Sequence, residues 1–195
     1  MTAHQPDYYM LECSPPRGAD DHALVRLVTK PPSGAQWKEG ARFSVDVPEP
    51  VEFAMRANHN DLMLEMNNTQ GLLVTKRLLA ALQEAGVDNL DVYDAVIRHE
   101  SLGTERRDYV AVNLIGTVSA ADLSRSTVVP GGLPGNLIDT DFEGVAIDPE
   151  KAGGMLMFRL AENTSAIVVH ERVKEHLESK GFDMLTFVPP ESWIG

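Results

Sequence analysis

Apolar residues recur at the spacing of an α-helix in the segment that begins at Thr75 and ends at Gly86. They occupy positions i, i+1, i+4 and i+7, which form one face of a helix: Leu78, Leu79, Leu82 and Ala85. The Thr75 hydroxyl can accept a hydrogen bond from an unpaired amide of the first turn. Gly86 can adopt the left-handed conformation that ends many helices. The apolar positions that follow predict a strand over residues 90–97.

A similar pattern returns 95 residues later, in residues 169–187. Identical residues occupy equivalent positions in the pairs Val74 and Val169, Arg77 and Arg172, Leu82 and Leu177, Gly86 and Gly181, Asp88 and Asp183, and Leu90 and Leu185. Two unrelated amphipathic helices that end at glycine would share some of these positions, and so would a duplicated unit. The sequence therefore predicts two equivalent helix-to-strand units and leaves their common origin open. We expect the helices to pack on a sheet through Leu78, Leu82, Val173 and Leu177.

Short apolar stretches predict strands over most of the remaining chain. Before the first helix they lie at residues 8–13, 24–28, 43–47, 51–55 and 62–66, and later at 109–115, 142–147, 156–160, 166–169 and 185–187. Many short strands with two or three helices predict an α+β fold, with the helices packed on a mostly antiparallel sheet. We expect a single domain, residues 1–195, with a β-rich part (1–70) and a helix-and-strand core (71–195).

The formal net charge of the chain is −12, from 29 acidic and 17 basic residues. Such an acidic surface repels the phosphate backbone of nucleic acids, so we expect no nucleic-acid partner. It attracts a protein with a basic surface and speeds the association of the two. Solubility alone is the other explanation for a high net charge.

Neither a disulfide nor a membrane segment is predicted. Cys13 is the single cysteine, so it cannot form an internal disulfide, and we expect it to be a small buried apolar side chain. The first residues lack the basic and apolar regions of a secretory signal. No apolar run approaches the roughly 18 residues that a membrane helix requires. We therefore expect a soluble cytoplasmic protein without a membrane partner.

No arrangement typical of an active site or a cofactor site occurs in the sequence. It has no serine of the nucleophile-elbow type and no phosphate-binding glycine loop followed by lysine. The glycine- and proline-rich segment 129–135 lacks both a lysine and a following helix, so we interpret it as a hinge loop. His170 and His176 are six residues apart on the second helix and point to different faces. We expect no catalytic residue, no cofactor and no enzymatic activity.

Asp139 and Asp141 form the one pair of carboxylates that suggests a divalent cation, because they project to one side of an extended segment. Oxygen-coordinated cations normally take more protein ligands than two. We therefore interpret the pair as an acidic turn and expect no bound metal.

Acidic residues dominate the stretch between Arg125 and Lys151, which contains no lysine or arginine. Its carboxylates are Asp139, Asp141, Glu143, Asp148 and Glu150. A patch of this kind suits contact with the lysine and arginine side chains of another protein, although many charge runs are simply solvated. These five residues are our candidate partner-binding residues.

Several structural motifs carry a resemblance to a known family. They are residues 73–79, 86–90 and 92–93 of the first unit, the strand 109–115 with Asp122 and Ser126, and residues 157–160, 167–181 and 185–189 around the second unit. In these motifs the chain resembles the Immunity protein 11 family, small bacterial proteins found beside polymorphic toxins. The resemblance covers roughly residues 70–190, and His170 stands where the family more often has a serine cap.

This resemblance implies an antidote that binds a cognate toxin delivered by neighbouring cells, blocks the active site of that toxin and has no catalytic residue of its own. Two alternatives remain open. One is a small hydrolase that uses the Asp139 and Asp141 carboxylates to reverse a modification made by a toxin. The other is a self-associating scaffold protein without a toxin partner. The sequence does not determine the oligomeric state.

Overall fold

The computed structural model describes residues 7–19, 22–33, 36–56, 62–129 and 140–195. The strands are β1 (Tyr8–Cys13), β2 (Leu24–Leu27), β3 (Val51–Arg56), β4 (Met66–Asn67), β5 (Leu72–Thr75), β6 (Leu90–His99), β7 (Glu105–Arg106), β8 (Tyr109–Leu114), β9 (Thr117–Val118), β10 (Met157–Leu160), β11 (Asn163–His170) and β12 (Leu185–Val188). The helices are α1 (Lys76–Glu84), α2 (Pro149–Ala152) and α3 (Glu171–Ser179), and a 3₁₀ turn spans Pro190–Ser192.

The strands form two sheets. One has the order β12-β1-β11-β10-β9, and the other has the order β2-β3-β6-β8-β5-β4, with β7 paired to β6. Most neighbours are antiparallel, while β3 with β6 and β9 with β10 are parallel. The α+β class with mostly antiparallel sheets agrees with the sequence prediction, although the helices are short and strands dominate.

Each of the two longer helices joins two strands of one sheet. Helix α1 connects β5 to β6, and β8 lies between these strands, antiparallel to both. Helix α3 connects β11 to β12, and β1 lies between them, also antiparallel to both. In the first arrangement, Thr75 lies opposite Tyr109 at one end of β8, and Leu90 lies opposite Leu114 at the other end. In the second, His170 lies opposite Tyr8 at one end of β1, and Leu185 lies opposite Cys13 at the other end.

The two helices begin and end in similar ways. The Thr75 hydroxyl accepts a hydrogen bond from the Leu78 amide at 3.1 Å, and Nδ1 of His170 accepts one from the Arg172 amide at 3.1 Å. A histidine therefore caps α3 where a serine or threonine usually would. Beyond the helix ends, Gly86 and Gly181 have φ angles of 98° and 69°, which a residue with a side chain rarely adopts.

The apolar faces of both helices enter one hydrophobic core. The inward side chains Leu78, Leu82, Val173 and Leu177 are almost fully buried there. Residues of both sheets complete this core, including Val74 of β5 and Val169 of β11. Helix packing thus joins the two sheets.

In the N-terminal part, the strand predicted at residues 43–47 does not form. Of the strand predicted at residues 62–66, only residue 66 lies in a strand. Residues 43–47 are irregular, because Phe43 turns inward and its ring packs 5.1 Å from that of Trp37. Residues 62–65 also form no strand. The Leu64 carbonyl instead accepts a hydrogen bond from the Tyr109 hydroxyl at 2.9 Å, which replaces a strand partner.

The predicted strand at residues 142–147 is also wrong. This segment makes isolated bridges at Phe142, Glu143 and Ile147 and no continuous ladder. Gly144 has a φ of 98°, and this left-handed residue interrupts the extended backbone. The hinge loop predicted at residues 129–135 lies mostly outside the described residues.

Replacing Leu82 or Leu177 with alanine should lower the free energy of unfolding by about 2–5 kcal/mol, because each leaves a cavity in the shared core. The two leucines are 1% and 0% exposed. Urea unfolding monitored by circular dichroism measures the change. Leu102→Ala is the control, since Leu102 is 64% exposed and its change should stay within about 0.5 kcal/mol. A change that small at both buried positions would contradict the proposed core.

Candidate functional site

Part of the acidic stretch lies on a short ladder of three chain segments, residues 127–129, 141–144 and 193–195, which we call the acidic ribbon. The Val129 amide donates to the Asp141 carbonyl at 2.9 Å, and the Gly144 amide donates to the Trp193 carbonyl at 2.8 Å. The middle segment is therefore hydrogen-bonded on both sides. These hydrogen bonds fix the position of residues 141–144, although this segment is not a regular strand.

The outer face of the acidic ribbon combines carboxylates with a large apolar side chain. Glu143 lies directly opposite Ile194, and directly opposed residues of an antiparallel pair share one face. Asp141 precedes Glu143 by two positions, so it projects to the same side. All three side chains are exposed, and Ile194 is 76% exposed.

The inner face of the acidic ribbon is anchored to the protein. Phe142 is fully buried, and its ring centroid lies 6.4 Å from that of Trp193. The indole Nε1 of Trp193 donates to Glu12 of β1 at 2.9 Å. The backbone that carries the exposed carboxylates is thus fixed to the sheet through these buried side chains.

The other predicted binding residues lie elsewhere. Asp148 caps α2, where its carboxylate accepts hydrogen bonds from the amides of Glu150 and Lys151 at 3.0 and 3.4 Å. Glu150 is exposed in the first turn of this helix. Asp139 lies outside the described residues. The structure therefore brings Asp141 and Glu143 together on the acidic ribbon and places Asp148 and Glu150 on another element.

The cations that flank the acidic stretch are paired with acidic neighbours. Arg125 donates to Asp122 at 2.6 Å, and the ammonium of Lys151 lies 3.9 Å from Asp148. Hydrogen bonds from Ser124 and Arg125 lower the pKa of Asp122 to about 2, so this carboxylate stays ionised at neutral pH. Neither flanking cation is therefore directed at Asp141 or Glu143.

Two features of the protein, one of them on the acidic ribbon, were not predicted from the sequence. One is the exposure of Ile194. No local sequence pattern indicates it, because it depends on how residues 193–195 pair with residues 141–144, which are distant in the sequence. The other is Arg159, which is fully buried and donates to the Thr164 carbonyl at 2.8 Å and to the Asn68 side chain at 2.9 Å. Its burial lowers its pKa to about 10. A charged residue inside the apolar run 156–160 is the signal that could have marked it.

A model of the Imm11 immunity protein family matches residues 7–191. The chain belongs to the Imm11 immunity protein family. This Imm11 protein accordingly has the role of an immunity protein, which neutralises a toxin. Comparison with curated proteins finds no match. In the part of the chain that the structure describes, no helix is long and apolar enough to cross a membrane.

Within the described ranges, no three His, Cys, Asp or Glu side chains come together in a way that could hold a metal ion. Asp139, one of the two carboxylates interpreted above as an acidic turn, lies outside those ranges. We predict that a chelator such as EDTA leaves the melting temperature of the Imm11 protein unchanged, as measured by differential scanning fluorimetry. A clear fall that one added divalent ion reverses would instead point to a site that includes Asp141.

Cys13 should react slowly with thiol reagents. Burial, as the largest cause, raises the pKa of its thiol from 9.0 to about 11, so very little reactive thiolate exists at pH 8. We expect reaction with Ellman's reagent roughly 100-fold slower than for an unperturbed thiol, on thiolate fraction alone. The same protein unfolded in urea is the control and should react at the ordinary rate. Cys13 is half-buried, and equal rates in the folded and unfolded protein would contradict the raised pKa of its thiol.

Proposed function

We propose that this Imm11 protein neutralises its cognate toxin by binding a basic surface of the toxin through the outer face of the acidic ribbon, and that it thereby covers the active site of the toxin. The observation that carries the proposal is the opposition of Glu143 and Ile194 on an exposed face. Interfaces with defined partners combine apolar anchors with charged surroundings, and this face offers both.

The carboxylates of this face are available to a partner. Among the described residues, neither Asp141 nor Glu143 forms an ion pair within the protein, although many acidic residues elsewhere do. The chain as a whole carries a net charge of −12. Charges of one sign raise the association rate with an oppositely charged partner, whereas a central apolar side chain mainly slows dissociation.

Asp139, Asp148 and Glu150 are further predicted contacts of the toxin, although Asp148 and Glu150 lie on α2 and not on the acidic ribbon. Asp148 contributes least, because its carboxylate already caps α2 and its side chain is 28% exposed. The partner is a protein, and we expect neither a nucleic acid nor a membrane in this role. A cytoplasmic location and the absence of catalysis stay predictions.

We also propose that residues 1–195 act as one domain and that the two helix-to-strand units are equivalent. The shared core of α1 and α3 supports the first proposal. The second is supported by the identical offset of 95 residues at both helix ends, from Lys76 to Glu171 and from Glu84 to Ser179. No specific observation favours a carboxylate-dependent hydrolase or a self-associating scaffold.

The experiment uses the toxin encoded by the gene beside that of the Imm11 protein. A variant with Asp139→Ser, Asp141→Ser and Glu143→Ser should associate more slowly than the wild type, and the difference should shrink between about 20 mM and 500 mM salt. The control variant, Asp88→Ser with Glu175→Ser and Asp183→Ser, removes three exposed charges from other elements. Association rates are measured by biolayer interferometry, and melting temperatures check that all variants fold.

A second arm tests the apolar anchor. Ile194→Ser should leave the association rate nearly unchanged and raise the dissociation rate by about tenfold or more, because interface energy concentrates in central apolar side chains. If the acidic variant and the control variant behave alike at every salt concentration, the interface lies elsewhere. If the wild type forms no complex with the neighbouring toxin, the proposed neutralisation by direct binding fails.

A further inference from the structure

Trp193 and Ile194 are neighbours on the acidic ribbon that face opposite ways. Trp193 has extended backbone angles, and successive side chains of an extended segment point to opposite faces. The Trp193 side chain is 7% exposed and belongs to the cluster beneath the ribbon, whereas Ile194 is 76% exposed. The direction of the exposed apolar side chain therefore depends on how the indole of Trp193 is held.

The main chain at Trp193 is held by hydrogen bonds. Its amide donates to the Pro190 carbonyl at 3.1 Å, and its carbonyl accepts from the Gly144 amide at 2.8 Å. These bonds fix the backbone but not the side-chain torsions of the indole. The orientation of the ring must come from contacts of the ring itself.

Packing holds the indole on one side and leaves space on another. The ring of Phe142 lies 6.4 Å away between centroids. A cavity of about 290 Å³ also borders the indole, between β1 and β11 of one sheet and the end of β4 in the other. Its wall includes Met10, Glu12, Cys13, Met66, Ile167 and Trp193. Close packing alone restricts a side chain only where atoms surround it, so the cavity leaves room for the indole to rotate.

Glu12 of β1 supplies the polar contact that selects one orientation. It lies on the same face of the strand as Tyr8 and Met10, which pack in one cluster with Trp193. Oε1 of Glu12 accepts a hydrogen bond from the indole Nε1 at 2.9 Å. Among the described residues, the Glu12 carboxylate has no other hydrogen bond and no ion pair. A bond to an ionised acceptor is roughly twice as strong as one between neutral groups.

We propose that Glu12 is a positioning residue for toxin recognition: its carboxylate holds the indole of Trp193 and thereby keeps Ile194 directed toward the toxin. The inference rests on the proposed function, because Ile194 acts in recognition only as part of a toxin interface. Glu12 acts through Trp193 and needs no contact with the toxin. Holding an interface side chain in its bound position lowers the entropic cost of binding.

The first test needs no toxin. In ¹H–¹⁵N spectra, exchange of the Trp193 indole N–H with solvent should be about tenfold faster or more in Glu12→Ala, because the acceptor is lost. Glu12→Gln should stay close to the wild type, since the amide oxygen can accept the same bond. The indole of Trp37, which belongs to another cluster, is the internal reference and should not change. Melting temperatures check that the variants fold.

The second test measures dissociation from the toxin by biolayer interferometry. Glu12→Ala should raise the dissociation rate about fivefold or more, and Glu12→Gln should stay within about twofold of the wild type. Glu175→Ala removes the same charge from an exposed position on α3 and should also stay within about twofold. Trp193→Phe keeps a ring but removes the donor, so it should reproduce Glu12→Ala and serves in its place if that variant does not fold.

A double-mutant cycle shows whether Glu12 acts through Ile194. When Ile194→Ser is already present, adding Glu12→Ala should raise the dissociation rate no further, because the side chain that Glu12 positions is gone. The same fold-change with and without Ile194→Ser would show that the two residues act independently and would overturn the inference.

The remaining outcomes separate this inference from the proposed function. Unchanged exchange of the Trp193 indole in Glu12→Ala would overturn the inference whatever the toxin does. If Ile194→Ser speeds dissociation and Glu12→Ala does not, the inference fails and the toxin interface stands. If Glu12→Ala frees the indole but neither variant alters dissociation, the toxin interface lies elsewhere and both proposals fail.

Discussion

The packing of α1 against α3 inside a shared core is the constraint on which the rest of the fold depends. Each helix covers its own sheet, and the inward leucines Leu82 and Leu177 belong to the same cluster. Polar contacts fix the relative position of the helices. The guanidinium of Arg77 donates to the carbonyls of Lys180 and Gly181 at 2.7 and 3.0 Å, beyond the end of α3, and it lies 4.0 Å from the centre of the Phe182 ring. Cations are favoured at helix C-termini, where carbonyl groups lack partners.

Strand β1 connects the helix-covered core to the acidic ribbon. Successive side chains of a strand point to opposite faces, so Tyr9 and Leu11 enter the helix-covered core while Tyr8 and Met10 enter a second cluster with Phe142 and Trp193. The six residues of β1 therefore contribute to the helix-covered core on one face and to the cluster beneath the acidic ribbon on the other. The exposed face of Glu143 is set by a strand near the N-terminal end of the chain.

The sequence predicted the elements whose signals are local. Helices α1 and α3 have a cap, a 3.6-residue period and a glycine after the last turn, and strand β8 is apolar at nearly every position and lies centrally in its sheet. The prediction failed where tertiary contacts decide the backbone. At residues 43–47 an aromatic cluster draws Phe43 inward, and beyond Glu143 the left-handed Gly144 ends the ladder. Within the site, acidity was visible in the sequence, whereas the apolar partner Ile194 was not, because it meets Glu143 from 51 residues away.

The order of strands along the chain has a consequence for biosynthesis. The arrangement around α1 uses residues 72–114, which follow one another, and such local contacts form early because the entropic cost of closing short loops is small. The arrangement around α3 needs β1, and its pair Tyr8 and His170 is separated by 162 residues. A ribosome releases β1 long before its neighbours β11 and β12 are made, so this strand waits unpaired during translation. The half of the molecule that carries the acidic ribbon is thus assembled last, when the C-terminal segment with Trp193 emerges.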